Sequence, residues 1–93
     1  MVIQKGAVAG TMESSDVMIT VRPQSKGVDI SLRSTVEAYY GDRIVEVIRE
    51  ELDRMGVTAA RVEAVDHGAL DCTIRARVTT AVRRAGEERG EVA

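Results

Sequence analysis

Two adjacent hydroxyls are the first candidates for chemistry in this sequence. Ser14 and Ser15 lie between the carboxylates of Glu13 and Asp16 in the segment A-G-T-M-E-S-S-D-V-M-I. A serine hydroxyl is a poor nucleophile without a neighbouring base, and an exposed carboxylate is too weak a base to activate it. An exposed hydroxyl can still be presented to another enzyme and become the anchor of a covalent group. The alternative is that both serines only lead the chain into the strand that follows.

A catalytic serine would need the single histidine of the chain. Any Ser–His–acid arrangement must recruit His67, with Asp66 or Asp71 as the acid. No G-x-S-x-G elbow surrounds either serine, and the D-H-G sequence is typical of a solvated turn. A minor hydrolase that uses Ser14 and His67 is therefore only an alternative hypothesis.

The remaining reactive and charged residues favour structural roles. Cys72 falls on the inward side of an apparent strand, which predicts a small buried apolar residue. One cysteine and one histidine are too few for a recognised metal site, so we expect no metal. A local basic stretch is interpreted as a solvated face or, as a second possibility, a docking surface for an acidic ligand or partner; it comprises Arg75, Arg77, Arg83 and Arg84.

Composition and charge limit the function classes. The 93 residues suit one small domain, and the core must be aliphatic because the only aromatic residues are Tyr39 and Tyr40. The formal charge of −2 argues against a nucleic-acid partner and against a polybasic membrane anchor. No apolar run approaches the roughly 20 residues of a membrane span, and no secretory signal is recognisable. We therefore expect a cytoplasmic protein.

The first half of the chain predicts a hairpin and a helix. Val17, Ile19 and Val21 alternate with polar or larger residues, and the same pattern recurs over 28–33 after a turn at Pro23 to Gly27. Ser34 and Glu37 fit a capping box, and an apolar stripe with helical spacing follows and ends before Gly56; its members are Tyr40, Ile44, Ile48, Leu52 and Met55. Gly41 predicts a bend or restart with Asp42 as a new cap, and Glu50 and Arg54 are spaced to pair.

The second half predicts another hairpin. Residues 60–64 and 72–78 alternate on either side of a turn at Asp66 to Gly68, and 79–85 favours a short helix. The expected fold is α+β, a small single domain with two β-hairpins packed on one main helix. Residues 1–15 are expected to form a flexible attachment segment, 16–85 the α+β domain and 86–93 a charged tail.

Two separated blocks of sequence resemble a known family. The segments A-V-A-G-T-M-E-S-S-D-V-M-I, Ala7 to Ile19, and D-H-G-A-L-D-C-T-I-R-A-R, Asp66 to Arg77, resemble the citrate lyase acyl carrier protein (gamma subunit). The resemblance implies that Ser14 carries a 2'-(5''-phosphoribosyl)-3'-dephospho-CoA prosthetic group through a phosphodiester. The choice of Ser14 over the adjacent Ser15 rests on alignment of the motif.

The resemblance also implies the activity and the partners. The thiol of the group holds acetyl and citryl thioesters while citrate is cleaved to acetate and oxaloacetate in citrate fermentation. The implied partners are the alpha (transferase) and beta (lyase) subunits of citrate lyase and a prosthetic-group transferase. The chain itself would supply no catalytic residue, and Gly6 and Gly10 would allow a hinge before Ser14.

Two rival functions stay open at this point. The carrier subunit of malonate decarboxylase resembles the same family, and we expect a G-S-G-D-like attachment site there, so E-S-S-D favours citrate lyase. A small non-enzymatic interaction module without a prosthetic group is the rival from a different class.

Overall fold

Strands and helices alternate along the part of the chain that the structure describes. The computed structural model describes residues 1–35 and 37–86. Its elements are β1 Ala7–Gly10, β2 Val17–Arg22, β3 Gly27–Ser34, α1 Glu37–Arg54, β4 Ala59–Asp66 and α2 Asp71–Ala85. The expected α+β class of a small domain is confirmed.

The four strands of the described residues form one mixed sheet in the order β1-β2-β4-β3. β1 pairs with β2, and β2 with β4, in antiparallel register, whereas β3 and β4 are parallel. Parallel neighbours need a crossover connection, and α1 provides it between β3 and β4. The loop between β1 and β2, the end of β4 and the end of β3 consequently lie at the same end of the sheet.

Both helices cover one face of the sheet. α2 packs on β1 and β2, while α1 contacts β3 and α2. The strands present alternate residues to the helices, and the buried aliphatic core from these elements comprises Ala9, Val17, Ile19, Val21, Ala60, Val62, Ala64, Ile44, Val47, Ile48, Leu52, Ile74, Val78, Ala81, Val82 and Ala85. On the opposite face the alternate positions Met18, Thr20 and Val65 are only half-buried.

The predicted stripe and end of α1 are largely confirmed. Ile44, Ile48 and Leu52 are buried, and Gly56 adopts the left-handed conformation with φ of 73°. Tyr40 is an exception, because 60% of it is exposed. The predicted bend at Gly41 is wrong, since α1 runs unbroken from Glu37 to Arg54. Packing of the apolar face offsets the cost of about 1 kcal/mol for one helical glycine.

The predicted pairing of β2 with β3 as a hairpin is wrong. β4 lies between them and pairs with both, and β2 instead forms a hairpin with β1, over the segment Ala7–Gly10 that carried no recognised period. A period of two identifies a strand and its buried face, but it does not identify the neighbour. The crossover through α1 places β4 beside β3.

The predicted strand over 72–78 is also wrong, because these residues form the first half of α2. Ile74 and Val78 satisfy an alternating pattern, but together with Ala81, Val82 and Ala85 they form one helical face. Cys72 is therefore exposed on the helix surface and is not part of the core. The second predicted hairpin does not form.

The remaining expectations concern an ion pair, a helix cap, the C-terminal tail and a membrane span. The predicted Glu50–Arg54 pair is wrong: Arg54 binds Glu51, and Glu50 binds Arg75 at 2.8 Å. Ser34 ends β3, while its predicted capping partner, the Glu37 side chain, lies outside the described part of the chain. The tail over 87–93 also lies outside it, and the division into attachment segment, domain and tail stays a prediction. Neither described helix is long and apolar enough to cross a membrane.

Candidate functional site

The two serines lie at the tip of the loop that joins β1 to β2. The Asp16 backbone N–H donates a hydrogen bond to the Glu13 carbonyl at 3.2 Å, which closes a four-residue turn. Ser15 has φ of 64° at the third position of this turn, where type II turns require a positive φ. Both serines are exposed, and neither hydroxyl is hydrogen-bonded to a residue that the structure describes.

This attachment loop, residues 11–16, is bonded to a second loop that follows β4. The Ser15 N–H donates to the His67 carbonyl at 2.7 Å, and the His67 N–H donates to the Asp16 carbonyl at 2.9 Å. The E-S-S-D and D-H-G segments, which lie far apart in sequence, therefore meet at one end of the molecule.

The Asp16 side chain holds the attachment loop against α2. Its carboxylate accepts two hydrogen bonds from Arg77, Nε at 3.0 Å and Nη2 at 2.8 Å, and a further one from the Thr11 hydroxyl at 2.6 Å. The Val17 N–H also donates to it, at 2.7 Å. These bonds, that from Arg77 foremost, hold the pKa of the Asp16 carboxyl well below its usual range. Bidentate arginine–carboxylate pairs are among the stronger polar contacts in proteins, so the loop has a defined position.

Gly10 is fixed by geometry at the start of the loop. It has φ of 104°, and a Cβ atom there would lie 1.8 Å from the Val17 carbonyl oxygen. Only glycine fits such an approach of two backbones. Gly10 therefore allows the backbones of β1 and β2 to approach each other closely.

A second buried carboxylate organises the loop after β4. Asp66 is 1% exposed and accepts hydrogen bonds from the Ser34 hydroxyl at 2.8 Å and from the Gly68 and Ala69 N–H groups, both at 3.0 Å. The carboxylate thus joins the end of β3 to this loop and fixes the backbone of His67, to which the attachment loop is bonded.

His67 lies in the predicted turn after β4 but is only partly solvated, and the described residues form no catalytic arrangement around it. The residue is half-buried, and its Nδ1 is buried without a hydrogen-bond partner among the described residues. Asp66 accepts its bonds from other donors, and neither serine hydroxyl bonds to the imidazole. A Ser–His–Asp relay needs the bonds that are missing here.

The basic stretch is divided among separate contacts. Arg77 binds Asp16, Arg75 binds Glu50, and Arg84 donates to the Val8 carbonyl at 2.7 Å. Two of the four positive charges of this stretch, those of Arg77 and Arg75, are therefore balanced by carboxylates of the described residues. Within residues 1–35 and 37–86, no group of three or more His, Cys, Asp or Glu side chains could hold a metal ion.

Sequence reasoning missed the role of Asp16. The sequence indicated only an exposed carboxylate beside the serines, whereas in the structure Asp16 is nearly buried and makes the main contacts that hold the loop. Its partner Arg77 lies 61 positions away, on an element that was predicted to be a strand. No local spacing links the two residues, so only the tertiary structure reveals the pair.

Comparisons with known proteins identify relatives that are acyl carrier subunits. Residues 4–85 match the family described as ACP, malonate decarboxylase delta subunit (MdcD). The chain is 55% identical to a citrate lyase acyl carrier protein of Streptococcus mutans over 86 residues. This match covers 91% of this chain and 84% of that protein. It is 47% identical to the citrate lyase acyl carrier protein of Oenococcus oeni, over 99% and 95% of the two chains.

A solved structure supports the fold. A chain of a Pseudomonas malonate decarboxylase hetero-tetramer, crystallised in complex with malonate, superposes with a TM-score of 0.76 over 91% of each chain at 22% identity. At that identity the likeness is one of fold. The sequence match, by contrast, extends over nearly the whole chain and includes the attachment loop. The chain therefore belongs to the citrate lyase acyl carrier protein family.

Proposed function

We propose that the chain is the acyl carrier subunit of a citrate lyase, with its prosthetic group esterified to Ser14. The 55% identity to a citrate lyase acyl carrier protein is the observation that carries the proposal. The group we infer is 2'-(5''-phosphoribosyl)-3'-dephospho-CoA, joined through a phosphodiester. When bound, its thiol supplies a site for acetyl and citryl thioesters.

The residues around Ser14 fit such a group. Its hydroxyl is exposed and is not hydrogen-bonded to any described residue, so a transferase can reach it and a bulky substituent has room. A phosphodiester places a negative charge beside Glu13 and Asp16. The Asp16 charge is balanced by the bidentate contact with Arg77, and Glu13 is exposed to screening by solvent and salt.

The role of the chain is to anchor and present the group. Tethering raises the effective concentration of a bound acyl group at the next active site without requiring dissociation. The backbone bonds of Ser15 and the Asp16 contacts hold the anchor in one position, so the freedom needed to reach other sites belongs to the arm. We infer a non-catalytic subunit of the cytoplasm that docks on the alpha and beta subunits and on the prosthetic-group transferase.

Mass spectrometry tests the site. Intact protein purified from its native cell should carry one adduct with the mass of the phosphoribosyl-dephospho-CoA group. Ser14→Ala should abolish the adduct, and Ser15→Ala, the matched control, should retain it. An unmodified chain in an active lyase would refute the proposal, and an adduct lost only in Ser15→Ala would move the site.

The malonate decarboxylase carrier is the second candidate, favoured by the family description and by the fold of the Pseudomonas subunit. The identity of 22% to that subunit is far lower than the 55% to the citrate lyase carrier. Reconstitution separates the two functions. The loaded chain should restore citrate cleavage with citrate lyase alpha and beta subunits and should not restore malonate decarboxylation with the other complex.

A further inference from the structure

A groove lies directly beside the attachment loop, on the sheet face opposite the helices. It has a volume of about 280 Å³ and is lined by Met12, Ser34, Thr35, Asp66, Arg33, Val65 and His67. Val65 and Arg33 are side by side in the register of β4 and β3. Met12 belongs to the attachment loop itself, two positions before Ser14, so the groove lies next to the loop that presents Ser14.

The accessible charge in the groove is positive. Arg33 is exposed and makes no ion pair or hydrogen bond with any residue that the structure describes. The carboxylate of Asp66 also lines the groove, but it is 1% exposed and accepts three hydrogen bonds from the protein. A phosphate in the groove would therefore meet the guanidinium before it met the carboxylate. Guanidinium groups bind phosphate well because their planar donors match its oxygens.

The same groove also has apolar walls. Met12, which lines it, is 52% exposed, and thioethers make favourable contacts with aromatic rings. Val65 is half-buried beside it. A cation beside an apolar surface matches the phosphate and the base of a nucleotide.

We propose that this groove is the resting site of the nucleotide portion of the group attached to Ser14, with a phosphate on Arg33 and the base against Met12 and Val65. The inference rests on the proposed function, since it requires the covalent group. Because the occupant is tethered, even a weak contact is well populated. Seating the nucleotide portion in the groove leaves the thiol end of the arm free to reach partner subunits.

Nuclear magnetic resonance of the apo and loaded protein tests the resting site. The reporters are the Val65 methyl groups and the Arg33 Nε, because both line the groove and neither belongs to the attachment loop. Intact mass first establishes that the adduct is present. In the loaded protein both reporters should shift relative to the apo protein, and Ser14→Ala treated with the same transferase should show no shift.

A pair of matched variants tests the charge contact. Arg33→Gln should keep the adduct but reduce the equilibrium constant for the resting contact about threefold, the size of one exposed ionic contact, and the Val65 shift should fall with the resting population. Arg61→Gln is the control, because Arg61 is exposed on the same face at the other end of β4. It should leave the Val65 shift unchanged.

The outcomes separate this inference from the proposed function. An adduct of the right mass with Val65 and Arg33 unshifted overturns the resting site and leaves the carrier function standing. A Val65 shift that is equal in Arg33→Gln and in the unsubstituted chain overturns the phosphate contact. A native chain without any adduct overturns both proposals.

Discussion

Two nearly buried carboxylates, Asp16 and Glu51, have similar chemical surroundings but different consequences. Each is bound by an arginine and by a threonine hydroxyl. Asp16 is held by Arg77 and Thr11, as described above. Glu51 accepts hydrogen bonds from Arg54 and, at 2.7 Å, from the Thr79 hydroxyl.

The difference lies in what each cluster joins. Glu51 connects α1 to α2, two regular elements whose positions are already fixed by their buried aliphatic faces. Asp16 connects an irregular loop to α2, and that loop contributes little apolar burial of its own, since residues 11–15 are exposed. The same set of bonds therefore adds stability to a formed helix pair in one case and determines the position of a hydroxyl in the other.

The largest expected effect comes from Gly10, whose close approach to the Val17 carbonyl fixes the start of the attachment loop. Gly10→Ala would place a Cβ against the Val17 carbonyl, so β1 and the loop must move, and we expect a loss of more than about 3 kcal/mol in the free energy of unfolding. Urea denaturation measures the loss. Gly27→Ala is the control, because Gly27 also has a positive φ but has no atom within 4 Å of the added Cβ. Equal losses in the two variants would show that the close approach at Gly10 is not the cause.

The next effect separates positioning from stability. Arg77→Gln releases the loop from α2, and we expect attachment of the prosthetic group to Ser14 to slow by about tenfold or more, since small misplacements of a reacting group are costly. Arg54→Gln removes the arginine contact of Glu51, which lies within α1, and should leave the attachment rate within about twofold. A time course of intact mass with purified prosthetic-group transferase measures both. Equal slowing in the two variants would contradict the difference between the clusters.

A smaller effect is expected in the acid dependence of stability. Contacts with arginine lower the pKa of both Asp16 and Glu51 in the folded protein. A carboxyl with a lowered folded pKa contributes stability above its unfolded pKa, about 4, and loses it as the pH falls through the folded value.

Asp16→Asn and Glu51→Gln should therefore each be less stable than the unsubstituted chain at pH 7 and should lose less stability on acidification. Urea midpoints measured from about pH 7 down to about pH 2, across the range in which carboxyl groups titrate, give the two profiles. Protonation of Asp16 is the more strongly opposed in the folded protein. The difference in stability between Asp16→Asn and the unsubstituted chain should therefore persist to lower pH than the difference for Glu51→Gln. Profiles parallel to that of the unsubstituted chain would contradict this account.

The smallest effect is expected at Ser15. Its positive φ costs a non-glycine residue about 1 kcal/mol, so Ser15→Gly should leave stability unchanged or raise it by no more than that amount. The attachment rate should also be retained, because the hydroxyl that we assign to the adduct is that of Ser14. Thermal denaturation and intact mass measure the two quantities, and loss of the adduct would place it on Ser15.

The sequence was sufficient to locate the regular elements that follow one clear period. The alternation of Val17, Ile19 and Val21 predicted β2, and the spacing of Ile44, Ile48 and Leu52 predicted α1, because local burial and local geometry coincide there. It failed at α2, because the apolar pattern between Cys72 and Val78 fits both the period of a strand and the period of a helix. The helical face becomes distinct only when the apolar residues after Val78 are counted.

Strand order and the details of the site depended on contacts between distant residues. The parallel pairing of β3 with β4 follows from the crossover through α1, and no residue pattern within either strand encodes it. The prediction of an exposed serine near the N-terminus located the loop correctly. The contact between Asp16 and Arg77, which fixes that loop, joins residues 61 positions apart and could be recognised only after folding.

The left-handed backbone at Ser15 has a consequence for how the E-S-S-D motif is understood. Under the proposed function its two serines have different requirements: position 14 needs the hydroxyl oxygen that anchors the group, whereas position 15 needs only a residue that tolerates a positive φ. Glycine or asparagine would meet the second requirement equally well. Motifs that look dissimilar, such as E-S-S-D and the G-S-G-D expected of malonate decarboxylase carriers, can therefore specify one and the same bend.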